Sequence, residues 1–340
     1  MKVAVLGAGA IGAYVGASLC KAGVDVHLIA RGPHLAALRA DGVRVISPRG
    51  SFEAHPPATD DPAEVGPADY VFIGLKAHAY AASGPLVAPL LGPHTALIAA
   101  QNGIPWWYFH RLEGPYEDHR IEAVDPGGGT SAVLAPERAI GCVAYPAAVI
   151  ERPGVIRHLE GTRFAIGEPD GTVSRRCLDF SAAMVAGGLR CPVEPRLRDD
   201  IWIKLMGNVA LNPISALTRG TLAQMCEHTG VRSVIAGLMA ETLDIAARVG
   251  ARPEISIERR IDGARKVGHH RTSMLQDLET GRPLELEAIV AAVVELADLT
   301  GAPAPTLRAV HALTDLLAVA GTSKTGTAAP RPSTATGRTP

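Results

Sequence analysis

The chain has 340 residues, 47% of them apolar, and a formal net charge of −1 at pH 7. Two domains with sizeable cores fit this length, and the near-neutral charge gives no basic surface for nucleic acid or an anionic membrane. The five cysteines lack C-x-x-C spacing, which is typical of reduced thiols in a cytoplasmic protein. No apolar run reaches membrane-spanning length, and the N-terminal one is broken by glycine, unlike a signal peptide. We therefore expect a cytoplasmic protein without membrane segments.

The chain begins with an apolar strand that runs directly into Gly7-x-Gly9-x-x-Gly12. In such a motif the first glycine permits a tight turn, the second lets the backbone approach a pyrophosphate, and the third lets the next helix pack on the strand. The helix N-terminus, at Ala10 and Ile11, offers unpaired N–H groups and a positive dipole end to the anion. The pattern predicts a dinucleotide-binding unit, with a chance glycine-rich turn as the alternative.

The end of the second predicted strand, at 24–29, indicates which dinucleotide binds. Units that bind NAD usually carry an acid there, because a carboxylate accepts hydrogen bonds from both ribose hydroxyls. Here Ala30 and Arg31 follow the strand, and an arginine can pair with a 2′-phosphate that a carboxylate would repel. Arg31 therefore favours NADP(H), with a solvated surface arginine as the alternative.

Strand and helix patterns alternate over residues 1–195. A broken helix is predicted at 79–90 and a helix at 175–186, and further strands are predicted at 43–46, 70–75, 95–100, 140–145, 154–158 and 163–166. This alternation predicts an α/β domain, a parallel sheet with helices on both faces.

Polar side chains follow two of these strands. Lys76 comes after 70–75, and Gln101-Asn102-Gly103 comes after 95–100. Open α/β sheets bind ligands at the carboxyl ends of their strands. Lys76 therefore suits a cofactor phosphate or ribose, and Asn102 suits the nicotinamide ribose or the substrate. Capping and turn roles are the alternatives.

Residues 105–130 combine an aromatic run with a glycine-rich stretch. The segment either borders a ligand cleft or is a long connection with packed aromatic side chains. The residues alone do not favour one of these interpretations over the other.

Strand patterns disappear from residue 198 onward, and helical patterns follow at 198–211, 213–226, 230–249, 254–267, 283–300 and 306–319. They predict an all-helical domain over 196–320. Residues 321–340 are rich in Thr, Gly, Ser and Pro, and we expect them to form a disordered tail.

Lys204, Asn208 and Asn212 recur at i, i+4 and i+8, so they share one helix face. Their neighbours are apolar, and burying one ammonium and two amides without partners is costly. A substrate carboxylate and carbonyl would supply partners, which makes Lys204 a candidate general acid. The alternative is a polar stripe that faces water.

A second polar group lies at 272–277 and 281–287. Pro283 fits the first turn of a helix, and the acids behind it suit the helix dipole. Spacing alone favours a helix-start role for Glu285, on a face exposed to solvent. If Glu285 instead lies in a cleft with Lys204, its carboxylate would hold the Lys204 ammonium. His269 and His270 are adjacent and lack a third ligand at metal spacing, so we predict no metal site.

Together these segments resemble the ketopantoate reductase (2-dehydropantoate 2-reductase) family, over nearly the whole chain to about residue 320. The resemblance implies a Rossmann domain followed by a helical domain like the C-terminal domain of 6-phosphogluconate dehydrogenase, with the active site between them. The motifs that carry it are Gly7-Ala8-Gly9-Ala10-Ile11-Gly12, Ala30-Arg31, Leu75-Lys76-Ala77, Gln101-Asn102-Gly103, Trp202-x-Lys204-x-x-x-Asn208-x-x-x-Asn212-Pro213, and Ser273-Met274-Leu275-Gln276-Asp277 before Glu285.

The resemblance implies NADPH-dependent reduction of ketopantoate to pantoate in pantothenate biosynthesis. It implies that Lys204 donates the proton to the ketone oxygen and that Glu285 supports it and touches cofactor or substrate. The other implied binding residues are Asn208, Asn212 and Ser273 for the substrate carboxylate and hydroxyl, Asn102 near nicotinamide and substrate, and Arg31 and Lys76 on the adenosine side.

Departures from the family pattern concern the substrate. Val290-Ala291 stand where members often carry Asn-Gly, the acid before them is Glu287 rather than Asp, and a further asparagine is replaced near Leu222. The 105–130 stretch is also longer than the family needs. Another branched 2-oxo acid is therefore the first alternative as substrate, and a non-catalytic NADP(H)-binding regulator is the second. The oligomeric state, including a homodimer, stays open.

Overall fold

The computed structural model describes residues 1–322 of the chain. Every strand in this range ends by residue 167, and residues 197–322 contain helices and connections only. This arrangement confirms the predicted fold class, an α/β N-terminal domain with a parallel sheet followed by a helical C-terminal region. The predicted tail at 321–340 lies outside the described residues, apart from 321 and 322 at the end of the last helix.

Eleven strands form two sheets within the described residues: β1 (Lys2–Leu6), β2 (Asp25–Ile29), β3 (Val43–Ile46), β4 (Phe52–Ala54), β5 (Ala58–Thr59), β6 (Ala68–Ile73), β7 (Leu91–Ala99), β8 (Ala139–Ala144), β9 (Ala147–Arg152), β10 (Val155–Glu160) and β11 (Phe164–Gly167). The larger sheet has the order β11-β8-β7-β6-β1-β2-β5. All its pairings are parallel except that of β8 with β11. The carboxyl ends of β1, β6, β7 and β8 therefore meet at one edge.

The predicted strands at 43–46 and 154–158 form, but they do not join the larger sheet as expected. They belong to a second sheet of order β4-β3-β10-β9, which covers the helix after β1. Burial alternates along β3, and β10 also carries exposed positions, as in strands with one covered face. A sheet as well as helices thus covers that side of the domain.

The described residues contain twelve α-helices: α1 (Ala10–Lys21), α2 (Gly32–Asp41), α3 (Gly84–Val87), α4 (Gly129–Val133), α5 (Arg175–Ala186), α6 (Leu197–Thr218), α7 (Leu222–Glu227), α8 (Thr229–Arg248), α9 (Ile257–Val267), α10 (Ser273–Glu279), α11 (Ala292–Thr300) and α12 (Pro305–Thr322). The broken helix at 79–90 is confirmed as α3 with flanking 3₁₀ turns. None of these helices combines the length and apolar character needed to cross a bilayer.

Two predicted helix boundaries are wrong. The patterns 198–211 and 213–226 were expected as two helices, but α6 continues through Pro213 to Thr218, and α7 starts after it with a Thr221 capping box. Proline removes one helical hydrogen bond, yet residues 209–216 are all buried, so packing holds the helix together. Pro283 precedes its helix rather than opening it, because the helical backbone begins only near Leu286.

The aromatic part of the 105–130 segment is a packed connection, whereas residues between 123 and 130 contribute to the lining of a cavity of about 200 Å³ that also reaches Glu285. Four consecutive aromatic side chains, residues 106–109, are buried, and the Trp106 indole N–H donates to the Leu134 carbonyl. The Trp202 indole N–H on α6 donates to the Tyr108 hydroxyl at 2.7 Å. These aromatic side chains join α6 to the sheet domain.

Candidate active site

The turn after β1 is built around glycine. Gly7 has φ +86°, and its N–H and that of Ala8 donate to the Ile29 carbonyl. A side chain at Gly12 would collide with the Gly7 backbone, whereas a Cβ at Gly9 would meet no atom within 4 Å. The turn is therefore closed on the protein side and open where a ligand would approach.

A cavity of about 180 Å³ lies against this turn, and its lining includes Gly7, Gly9, Arg31 and His34. Arg31 is exposed at its border, and its side chain takes no part in capping α2. The first-turn N–H groups of α1, at Ala10, lack intrahelical partners. An anionic dinucleotide fits this combination of open turn, helix N-terminus and cation.

Three predicted site residues form one hydrogen-bonded chain. The Lys204 ammonium on α6 donates to the Asn102 side-chain oxygen at 2.8 Å, and the Asn102 amide donates to the Glu285 carboxylate at 3.2 Å. Lys204 also donates to the Ala144 carbonyl at the end of β8. The chain therefore joins the carboxyl edge of the sheet to two segments of the helical region.

Backbone contacts fix the position of Asn102 relative to Glu285. Gly103 has φ +86°, and a Cβ there would fall onto the Ala288 backbone. The Ile104 N–H donates to the Ala288 carbonyl at 2.8 Å. Ala288 lies in a π-helical turn, Glu287–Ala291, and such turns are frequent at functional sites. The loop after β7 is thus docked directly on the segment that carries Glu285.

Burial dominates the electrostatics of Lys204. It lowers the pKa of the ammonium from 10.5 to about 8. The Arg260 guanidinium contributes to this lowering, whereas the Glu285 carboxylate opposes it. The neighbouring Cys142 is buried, which raises its thiol pKa to about 12 and keeps it neutral. Lys204 can therefore exchange a proton near neutral pH.

Lys76 forms a different contact in this structure. Its ammonium lies 2.5 Å from the buried Asp277 carboxylate, which also binds Arg282 at 2.8 Å. This cluster ties the loop after β6 to α10. The cofactor contact predicted for Lys76 stays a prediction.

The remaining predicted residues lie on neighbouring elements. Asn208 is half-buried and Asn212 is buried on α6, and Ser273 is exposed at the start of α10. No hydrogen bond within residues 1–322 joins any of the three side chains to Lys204 or Glu285. Within the same range, no cluster of His, Cys, Asp and Glu side chains is placed to hold a metal ion.

Two family models match this chain. Residues 3–171 match "Ketopantoate reductase PanE/ApbA", and residues 196–318 match "Ketopantoate reductase PanE/ApbA C terminal". The chain belongs to the ketopantoate reductase family. It is therefore an oxidoreductase of the 2-dehydropantoate 2-reductase type, and the family is one of reductases that depend on a nicotinamide dinucleotide.

This chain matches proteins named as ketopantoate reductases over nearly the full length of both chains. A 2-dehydropantoate 2-reductase of Mesorhizobium japonicum is 48% identical, over 94% of this chain and 98% of its own. A candidate ketopantoate reductase structure from Ralstonia solanacearum MolK2 superposes with a TM-score of 0.89, at 36% identity over 94% and 98% of the two chains. A 2-dehydropantoate 2-reductase structure from Geobacter metallireducens GS-15 gives 0.81 at 27% identity, over 93% and 99%.

The positions where this family member departs from the expected pattern are used for packing. Val290 is fully buried in the π-helical turn, and Leu222 is half-buried as the first residue of α7. Neither side chain offers a hydrogen bond to a substrate. Whatever holds the polar end of the substrate must therefore come from elsewhere in the site.

Sequence reasoning missed two side chains near these sites. His34 bonds the Ala8 carbonyl through Nε2 at 2.9 Å and so fixes the glycine turn. Arg260 lies against α6 near Lys204. The sequence did contain an indication of Arg260. It lies three residues after Ile257 on α9 and shares a helix face with the buried Ile261 and Ala264.

Proposed function

We propose that this protein reduces 2-dehydropantoate (ketopantoate) to pantoate with NADPH, as a cytoplasmic step of pantothenate biosynthesis. The observation that carries the proposal is the hydrogen-bonded chain Lys204–Asn102–Glu285 at the carboxyl edge of the sheet. This chain places Lys204, which can supply a proton, at the same sheet edge as the glycine turn. That turn suits a dinucleotide. The identity of the proposed substrate comes from the names of the relatives, which include 2-dehydropantoate 2-reductases.

In this proposal Lys204 is the proton donor. Reduction of a ketone places negative charge on its oxygen, which a nearby ammonium stabilises and then protonates. Asn102 orients the ammonium through its side-chain oxygen, and Glu285 orients Asn102. Because Glu285 also favours the charged form of Lys204, its carboxylate helps to keep the acid protonated before the reaction.

The cofactor would lie along the glycine turn. Its pyrophosphate would be held by the N–H groups of Ala10, Ile11 and Gly12, and Arg31 would pair with the 2′-phosphate that distinguishes NADPH from NADH. Bound there, the reduced nicotinamide supplies a hydride to the ketone carbon. The fit rests on the open space at Gly9 and on the exposed Arg31 at the cavity border.

A second candidate substrate is another branched 2-oxo acid. The apolar side chains of Val290 and Leu222 favour it, since they replace polar groups expected to hold ketopantoate. A non-catalytic regulator is disfavoured, because a sensor gains nothing from a lysine whose pKa is lowered to about 8. The chemistry is the same for both substrates, so only substrate profiling separates them.

Steady-state NADPH consumption with a panel of 2-oxo acids tests the proposal. We expect ketopantoate to give the highest kcat/KM, with pantoate identified as product by mass spectrometry. A higher kcat/KM for another branched acid would replace ketopantoate as the substrate. Absence of NADPH oxidation with every acid would instead support the regulator.

The pH profile tests the role of Lys204 independently. The acid must be protonated for reduction, so kcat/KM should be flat below about pH 8 and fall tenfold per pH unit above it. The reverse oxidation needs the neutral amine and should rise with pH up to the same value. A basic limb near 10.5, or no limb at all, would contradict this assignment.

A further inference from the structure

Arg260 on α9 is a half-buried cation without an anionic partner among the described residues. Its Nε–H is buried and has no hydrogen-bond acceptor among residues 1–322. No carboxylate of the described residues stabilises its charge. Besides Lys204, the ionisable group near it is the phenol of Tyr145, which burial and Asp200 keep neutral by raising its pKa to about 12. Burial also lowers the pKa of the guanidinium itself.

Arg198 shows how this chain satisfies a half-buried guanidinium that serves only the fold. Its three nitrogens donate to the carbonyls of Tyr108, Pro169 and His110. Burying a charge without such partners is unfavourable, and folds rarely keep one unless a ligand completes it. Unlike Arg198, Arg260 therefore keeps an N–H donor available for a ligand.

The guanidinium of Arg260 lies against α6 at Gly207. A Cβ at this glycine would stand 2.7 Å from Arg260 Nε and 2.8 Å from its Cζ, so only glycine admits the side chain here. Gly207 is three residues from Lys204, about one helical turn along the same face. The two cations are close enough for Arg260 to lower the pKa of Lys204.

Two neighbouring cations, Lys204 on α6 and Arg260 packed against α6, match the two oxygen functions of a 2-oxo acid. Its ketone and carboxylate are on adjacent carbons, and a guanidinium binds a carboxylate through two parallel hydrogen bonds. Building on the proposed function, we propose that Arg260 binds the substrate carboxylate while Lys204 takes the ketone oxygen. The bound carboxylate neutralises Arg260 and favours the ammonium form of Lys204.

The test compares Arg260→Met with wild type on ketopantoate and on its neutral lactone. We expect the KM for the acid to rise about 100-fold and that for the lactone to stay within about threefold, since only the acid loses a charge-assisted pair. Arg260→Lys should fall between wild type and Arg260→Met. Arg259→Met removes an exposed charge from the same helix and should behave as wild type. Equal losses on acid and lactone would show a structural role and overturn the proposal.

Gly207→Ala provides a second variant that leaves Arg260 in the sequence. Alanine favours the helix by about 1 kcal/mol, so the Tm should not fall, while the new Cβ displaces the guanidinium. We expect a raised KM for the acid and an unchanged one for the lactone. An unchanged KM for both would contradict the assigned position of Arg260.

A binding measurement separates this inference from the proposed function. Oxamate, an unreactive analogue of a 2-oxo acid, is titrated calorimetrically into cofactor-loaded wild type and Arg260→Met. Binding to wild type that is lost in the variant supports the Arg260 site, even if no 2-oxo acid is reduced and the proposed function fails. Equal binding to both proteins, or binding to neither, overturns the Arg260 site, whatever activity wild type shows.

Discussion

Replacing Lys204 by alanine should reduce kcat for ketopantoate at least about 100-fold, the contribution typical of a positioned general acid. The ammonium is held between the Asn102 side-chain oxygen and the Ala144 carbonyl, and the alanine side chain has no proton to donate in its place. NADPH should still bind, because the glycine turn lies on separate elements. Stopped-flow measurement of cofactor oxidation and fluorescence titration of NADPH separate these two effects.

Lys266→Ala is the matched control, since Lys266 is an exposed lysine at the end of α9. It should keep wild-type kcat and KM. The basic limb near pH 8 should be absent in Lys204→Ala and retained in Lys266→Ala, which a merely structural effect of Lys204 would not produce. A kcat within a few-fold of wild type in Lys204→Ala would remove this lysine from the mechanism.

Local patterns were sufficient for the central strands of the larger sheet. The apolar runs of β1, β6, β7 and β8 and the motif Gly7-x-Gly9-x-x-Gly12 depend on neighbouring residues, and the structure bears them out. The second sheet was not foreseen, because it depends on β3 pairing with β10 more than a hundred residues later. Sequence periodicity predicts a strand but does not identify its partner.

The helical region shows the same limit. A break between two helices was expected just before Pro213, and propensity alone supports that expectation. In the structure the turns around Pro213 are buried against other helices, and this packing outweighs one missing hydrogen bond. Propensity is decisive only where tertiary contacts are few.

The candidate site depends on contacts between residues far apart in the sequence. The spacing of residues along a single helix does not reveal such contacts. Lys204 was singled out from its own helix, but its acceptor Asn102 lies 102 residues earlier. For Glu285 spacing favoured a solvated helix start, yet the docking of Gly103 on Ala288 brings its carboxylate to Asn102. Arg260 went unnoticed because α9 is rich in charged residues and reads as a surface helix.

Replacing Arg31 by aspartate should reverse the cofactor preference. The arginine lies at the border of the cavity beside the glycine turn, and a carboxylate there would repel a 2′-phosphate while accepting hydrogen bonds from ribose hydroxyls. Loss of a charge-assisted pair predicts about 100-fold weaker NADPH binding, with NADH affinity unchanged or improved. Dissociation constants for both cofactors are the measurement.

The backbone conformation at Arg31 suits aspartate, so this substitution should not disturb folding. Arg31 is the N-cap of α2 with extended φ and ψ of −141° and 161°, and aspartate is among the preferred residues at such a position. The Tm of Arg31→Asp should therefore equal or exceed that of wild type. Arg152→Asp makes the same charge change at an exposed site on β9 and should leave both dissociation constants unaltered. If NADPH binds Arg31→Asp as tightly as wild type, the 2′-phosphate contact is elsewhere, and the exposed Arg31 is a solvated surface residue.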